Sequence, residues 1–208
     1  MILSGYDIKP ILLYLPEVGE KYSYIKNHLS EIGIYHVMEV AGIGAEKFGI
    51  TSCRAYKRDS PDSDYLQPQR NTGCTISHYL LYTVMASHPE IEYWMIIEDD
   101  CMFRDNWKHN LEVALDYVPK DFDFLSLGNC CTEGRETTHV NENVYEVKYP
   151  LCTHALIVAK KAIPVLLENC RDASQPIDVL LFYEVYPKCK VYTVLPRLVN
   201  QKDTELTI

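Results

Sequence analysis

Residues Pro10–Val40 read "PILLYLPEVGEKYSYIKNHLSEIGIYHVMEV", and the order of patterns in this stretch decides the fold class. The opening run, Pro10–Leu15, is continuously apolar, as a strand covered on both faces would be. Val18, Tyr22, Ile25, Leu29 and Ile32 then recur at spacings of 4, 3, 4 and 3, which is the stripe of an amphipathic helix, and Gly33 stands where such a helix ends. Ile34–Val40 is strand-like again. Strand, crossover helix and strand make a β-α-β unit, which predicts an α/β fold with a parallel sheet and helices on its faces.

The pattern continues outward. A helix is expected from Thr72, capped by Asn71 or Thr72, with Ile76, Tyr79, Leu80 and Val84 on its inner face and an end before Pro89. Tyr93–Ile97 reads as a strand. Asp105 reads as the N-cap of a helix that turns Leu111, Leu115 and Val118 inward. Asp121–Gly128, Asn143–Tyr149, Thr153–Ala159 and Cys189–Pro196 are strand-like, and Lys160–Cys170 and Pro176–Tyr186 are helical, with Pro164 confined to a first turn. Six to eight strands follow. Residues 41–70 mix Gly, Pro, Asp and Ser without a period and form a long connection of the kind that carries function.

Composition limits the function. The 208 residues, 47% hydrophobic and 24% charged, suit one globular domain spanning 1–208, or one domain of a longer protein. The net charge of −9, with no Lys/Arg cluster beyond pairs such as Lys160-Lys161, argues against nucleic acid as a partner. No apolar run approaches the ~20 residues of a membrane span, and the N-terminus does not read as a signal peptide. The expected location is therefore cytoplasmic and soluble, in a host-cell cytoplasm if the chain is viral. The eight cysteines (53, 74, 101, 130, 131, 152, 170 and 189) form no Cys-x-x-Cys pair and are expected to be reduced, small core residues; Cys130 and Cys131, being adjacent, suit each other poorly as disulfide partners.

Chemistry concentrates in Tyr93–Phe103, "YWMIIEDDCMF", where an apolar strand runs into three acids and the chain turns apolar again. A solvated turn has less reason to be apolar on both sides. If the strand extends to Asp100, Glu98 and Asp100 face one way and Asp99 the other. Open α/β sheets bind ligands beyond the carboxyl ends of their strands. Two carboxylates there can hold Mg²⁺ or Mn²⁺, the cation an acidic protein needs between itself and a diphosphate.

Gly73, Cys74, Ser77, His78, Glu98, Asp99, Asp100 and Phe103 together resemble the core signature of the family 25 glycosyltransferases, which include lipooligosaccharide and collagen galactosyltransferases. "DFDFLSLG", "THALIVAKKAIPVLLE", "PIDVLL" and "VLPRLVNQ" are similar to later family segments in the same order. The first strand lacks the Asn-Leu and following Arg frequent in the family, and no later His stands ready to complete a metal shell.

The resemblance implies a GT-A fold, a Rossmann-like mixed and mostly parallel sheet flanked by helices. It implies a metal-dependent, inverting transferase that moves a sugar from a nucleotide-sugar, a UDP-sugar foremost, to a glycan or glycoprotein acceptor of a viral or bacterial surface. It further implies Mn²⁺ or Mg²⁺ on Asp100, with Glu98 as a second ligand. Glu98, Asp99, Asp100, His78, Gly128, Asn129, Leu15 and Pro16 would contact the donor. An inverting transfer needs a base for the acceptor hydroxyl; Asp178 is the first candidate, followed by Glu184 and His154. Arg54, Lys57 and Arg58 would ride on a lid over the diphosphate. Two other readings stand: a nucleotidyltransferase acting on sugar phosphates, which would release pyrophosphate, and a nucleotide-sugar-binding module without catalysis.

Overall fold

The computed structural model describes residues 1–44, 68–128, 137–148, 150–173 and 175–202. Asn129, the lid residues Arg54, Lys57 and Arg58, and Cys53, Cys130 and Cys131 lie outside the described residues. A sheet of nine strands forms the middle layer. Its strands are β1 (Ile2–Leu3), β2 (Tyr6–Tyr14), β3 (Met38–Ala41), β4 (Tyr93–Glu98), β6 (Phe124–Ser126), β7 (Thr137–Asn141), β8 (Val144–Val147), β9 (Ala155–Ala159) and β10 (Val191–Val194). A two-stranded ribbon of β5 (Cys101–Phe103) and β11 (Val199–Gln201) stands apart from it. The main order is β1-β2-β4-β9-β6-β10-β8-β7, with β3 also on β2. Strands β2, β3, β4, β6, β7 and β10 run one way, and β1, β8 and β9 run against them.

The predicted β-α-β unit is present as β2, α1 (Gly19–Glu31) and β3, with β2 and β3 parallel from Ile11 to Tyr14. Gly33 ends the helix region at φ +79°, a left-handed backbone that glycine adopts without cost. The second strand is shorter than expected, because His36 also takes a positive φ and holds the chain out of the ladder until Met38. Pro10 is tolerated in β2 for a geometric reason. Ile8 N donates to Met1 O on the β1 side, and a nitrogen two residues on points the same way. Pro10 therefore faces the gap between β1 and β3, where an N–H would have no partner.

Pleating splits the core in two. Ile8, Leu12, Met95 and Ile97 pack on one face against Ile25 and Leu29 of α1 and Trp107, Leu111 and Leu115 of α3 (Trp107–Tyr117). Ile11, Leu13, Trp94 and Ile96 pack on the other against α2 (Pro68–Ala86), α4 (Ile163–Cys170) and α5 (Ile177–Leu180). From Leu180 the chain continues through a π-type turn, Leu181–Val185.

Further expectations change. Eleven strands form among the described residues, where six to eight are expected, because several are short edge or ribbon strands. Helix α2 starts at Pro68, four residues before the predicted Thr72, so neither Asn71 nor Thr72 caps it. Its buried stripe is Thr75, His78, Leu81, Tyr82 and Met85, whereas Leu80 is exposed and Ile76, Tyr79 and Val84 are half-buried. Apolar spacing points to the wrong face because the first turns of the true one are polar and carry no apolar signal. Helix α3 is entered through Asn106 in a left-handed conformation with no side-chain cap, so Asp105 does not play that part. Finally, Cys152 is disulfide-bonded, which departs from the all-thiol reading, and Cys74 is exposed and Cys189 half-buried instead of in the core, while Cys101 and Cys170 are the buried free thiols expected.

Candidate active site

Strands β2 and β4 lie side by side and parallel, so their carboxyl ends open on the same side. A cavity of about 560 Å³ lies there, walled by Leu13 and Tyr14 at the end of β2, by Leu15, Glu17 and Val18 after it, by Ile43 and Gly44 after β3, by Asn71, Cys74, Ser77 and His78 of α2, and by Glu98 and Asp99. Its size is in the range of small-molecule sites. Two polar side chains fix its wall. Ser77 Oγ accepts Ile43 N–H at 2.7 Å and donates to Gly73 O at 2.7 Å, which pins the chain after β3 to α2. Asp99 Oδ2 accepts Leu15 N–H at 2.9 Å, which pins the chain after β2 to the acids.

The three acids do not follow strand alternation through Asp100. Strand β4 ends at Glu98, and Asp99-Asp100 is a turn into β5. Glu98 and Asp99 therefore both line the cavity, and Asp100 is held to one side, where Gln201 Nε2–H donates to its Oδ2 at 3.3 Å and Lys202 N–H to its carbonyl at 2.8 Å. Alternation does hold up to Glu98: Trp94, Ile96 and Glu98 point to the α2 face. There Glu98 Oε1 accepts His78 Nε2–H at 3.1 Å and Thr153 Oγ1–H at 2.6 Å.

Their environments separate the carboxyls. Burial pushes Glu98 up, but the bond and attraction of His78 and the bond from Thr153 outweigh it, leaving Glu98 below the usual range. Burial, and then the neighbouring Glu98 charge, push Asp100 up to about 7. Asp99 is raised chiefly by burial. Cys74 is an exposed free thiol on the cavity wall, where desolvation of its sulfur by the packed wall, then the charges of Glu98, Asp178, Asp100 and Asp99, raise it above the ordinary thiol range.

The remaining predicted residues are spread more widely. Asp178 lies in the first turn of α5 with Oδ1 accepting Val179 N–H at 2.9 Å; burial raises its carboxyl, and Glu98 and His78 lie within electrostatic reach. The loop before it is tied to α2 by Thr75 Oγ1–H, which donates to Gln175 O at 2.8 Å. Glu184 is exposed and outside the cavity lining. His154 is buried between strand ends, donates from Nε2 to Val199 O at 3.3 Å, and is held below the usual imidazole range by burial. Gly128 packs on that ring: a Cβ there would lie 2.1 Å from His154 Nε2 and 2.5 Å from Val199 O. Leu15 lines the cavity, and Pro16 beside it is exposed. Thr153 and Gln201 join the site although sequence reading gives them no role; they stand in "THALIVAKKAIPVLLE" and "VLPRLVNQ", two of the family-like segments. Neither belongs to an acidic or glycine-rich motif, and each reaches an acid only through strand pairing or a loop.

Among the described residues no group of three or more His, Cys, Asp and Glu side chains converges to hold a metal ion. The acids still suit a divalent cation that takes most of its ligands from phosphate and water. Asp100 Oδ1 is buried without a hydrogen-bond partner, and a carboxyl raised to about 7 next to a second carboxylate is what a bound cation would relieve.

Known proteins match this architecture. The structure is similar to a glycosyltransferase involved in the glycosylation of the major capsid of PBCV-1, with a TM-score of 0.57, 10% identity, and 95% of this chain and 94% of that one covered. It is more loosely similar to a protein from STIV (TM-score 0.47, 9% identity, 92% and 83% covered) and to mannose-1-phosphate geranyltransferase from Thermus thermophilus (TM-score 0.42, 9% identity, 91% and 74% covered), and these two carry no argument. At such identity the first likeness shows the fold alone, a mixed and mostly parallel sheet flanked by helices. No curated protein sequence matches the chain. The sequence profile of glycosyltransferase family 25, described as an LPS biosynthesis protein family, matches residues 68–181, which contain α2, the three acids and Asp178. The chain belongs to glycosyltransferase family 25, and it is a glycosyltransferase.

Proposed function

We propose that this glycosyltransferase moves a sugar, with inversion, from a UDP-sugar to a hydroxyl of a glycan or glycoprotein, with Mn²⁺ or Mg²⁺ held by Asp100 and Glu98. The observation that carries the proposal is the cavity at the carboxyl ends of β2 and β4, lined by apolar side chains and carboxylates together. Leu13, Leu15, Val18 and Ile43 offer apolar surface for a nucleobase, and Glu98 and Asp99 line the same cavity. A bound cation would offset the charge of a departing nucleoside diphosphate.

The chain's own residues have separable tasks. Asp99 keeps the Leu15 wall in place through its backbone N–H. Gln201 and the β5–β11 ribbon fix Asp100. Asp178, with a carboxyl raised by burial, would take the proton of the acceptor hydroxyl as that oxygen attacks the anomeric carbon.

The test is a screen of nucleotide-sugars with Mn²⁺ or with chelator, read by thermal shift and nucleotide release. UDP-sugars with Mn²⁺ should raise the melting temperature and release UDP, and chelator should remove both effects. Absence of any shift with every donor would overturn the proposal. Asp100→Ala should fold and lose metal-dependent turnover by about 10²-fold or more; full turnover would remove Asp100 from the metal site.

A further inference from the structure

Glu98 is gripped more tightly than a ligand-binding carboxylate at a strand end requires. Both of its donors engage one oxygen: His78 Nε2–H and Thr153 Oγ1–H converge on Oε1, from α2 and from the segment before β9. Oε2 has no hydrogen bond among the described residues, and Glu98 lines the cavity. His78 is fully buried, at 0% exposure, and both ring nitrogens are engaged, Nε2 by Glu98 and Nδ1 by the hydroxyl of buried Tyr82 at 3.3 Å. Neither nitrogen is left for a bound donor. Thr153 is likewise buried.

We infer that His78 and Thr153 are a clamp for Glu98: positioning residues that fix Oε1 so that Oε2 alone is presented to the bound donor. The inference deepens the reading of this cavity as a nucleotide-sugar site and rests on it for the ligand, but not for the clamp. A carboxylate free to rotate would present either oxygen in several rotamers, and locking one oxygen removes that freedom before the ligand arrives. The clamp draws its parts from three places in the chain: Tyr82 and His78 one turn apart on the inner stripe of α2, Glu98 at the end of β4, and Thr153 before β9. It also gives His78 a place acting through Glu98 instead of the direct donor contact expected from sequence.

Substitutions at Thr153, His78 and Glu98 decide the matter. In the ligand-free crystal structures of Thr153→Val and His78→Gln, the Glu98 carboxylate should leave its position or split between rotamers, whereas Thr153→Ser should keep it. Glu98 unmoved in both would overturn the clamp. For UDP with Mn²⁺ measured by calorimetry, Thr153→Val and His78→Gln should each weaken binding about tenfold, and Thr153→Ser should stay within about twofold of the parent. Residual binding by Glu98→Ala should be insensitive to adding either substitution; a further tenfold loss there would mean that the side chains touch the donor themselves, against the inference. If the parent protein binds no UDP, the proposed function fails, while the ligand-free structures still decide the clamp. If His78→Gln does not fold, the Thr153→Val and Thr153→Ser pair decides alone.

Discussion

Asp100 holds its proton to about pH 7 because it is buried beside Glu98. Two consequences follow at the scale of this residue. A cation must displace that proton, so Mn²⁺-dependent UDP binding should strengthen as pH rises and level off above about 7; calorimetry at pH 5.5, 6.5 and 7.5 checks it, and a flat profile would contradict it. In the ligand-free protein the sign is opposite. The folded state binds more protons than the unfolded one between the ordinary aspartate range, about 4, and 7, so Asp100 costs stability as pH rises through that window. Asp100→Asn should therefore raise the melting temperature more at pH 7.5 than at pH 4.5. His28 works the other way. Its Nε2 accepts Phe103 N–H at 2.9 Å, and burial keeps the ring below the usual imidazole range. The unfolded chain binds this proton more readily, so His28 supports the fold above about pH 6.5 and the support is lost as pH falls below it. Urea midpoints between pH 7.5 and 5 should fall less in His28→Gln than in the parent.

At the scale of elements, the ribbon of β5 and β11 is what turns an acidic strand end into a site. Leu127 O accepts N–H groups of both Leu198 and Val199, and this brings the β11 segment over the end of β6. Gly128 allows the approach, since its missing side chain leaves room for His154 and the Val199 carbonyl. Gly128→Ala must displace backbone as well as the ring. A loss of about 1–3 kcal/mol is expected, seen as a fall in melting temperature of about 2–4 °C per kcal/mol for a chain of this size. A melting temperature equal to the parent's would show that the ribbon is loosely held. Helix α2 teaches a related point. Its inner stripe is polar at one end, with Thr75, Ser77 and His78, and apolar at the other, with Leu81, Tyr82 and Met85. A search for apolar periodicity finds the helix and not the half of its face that builds the site.

At the scale of the whole molecule, the sheet carries one apolar cluster on each face, and the cavity lies where the α2 face meets the strand ends. The disulfide at Cys152 adjoins Thr153, and a disulfide typically contributes about 2–4 kcal/mol by restricting the unfolded chain. Reduction should lower the melting temperature, and a scan with and without dithiothreitol that shows no difference would mean that the bond does not stabilise this fold.

Much of this is legible in the sequence. The β-α-β opening, the strand that runs into the acids, the helices of both faces and the family signature all rest on residues close in sequence, where period and punctuation report directly on backbone geometry. Local pattern also carries Glu98 to the α2 face, since Trp94, Ile96 and Glu98 alternate with Met95 and Ile97. What the sequence could not determine is which partner each acid meets. Thr153 reaches Glu98 across 55 residues and Gln201 reaches Asp100 across 101, through antiparallel pairings that no local period encodes. Hydrogen bonding and burial at that range depend on the assembled sheet, so the chemistry of three adjacent carboxylates, one gripped, one bracing a loop and one protonated near neutrality, was decided by tertiary structure alone.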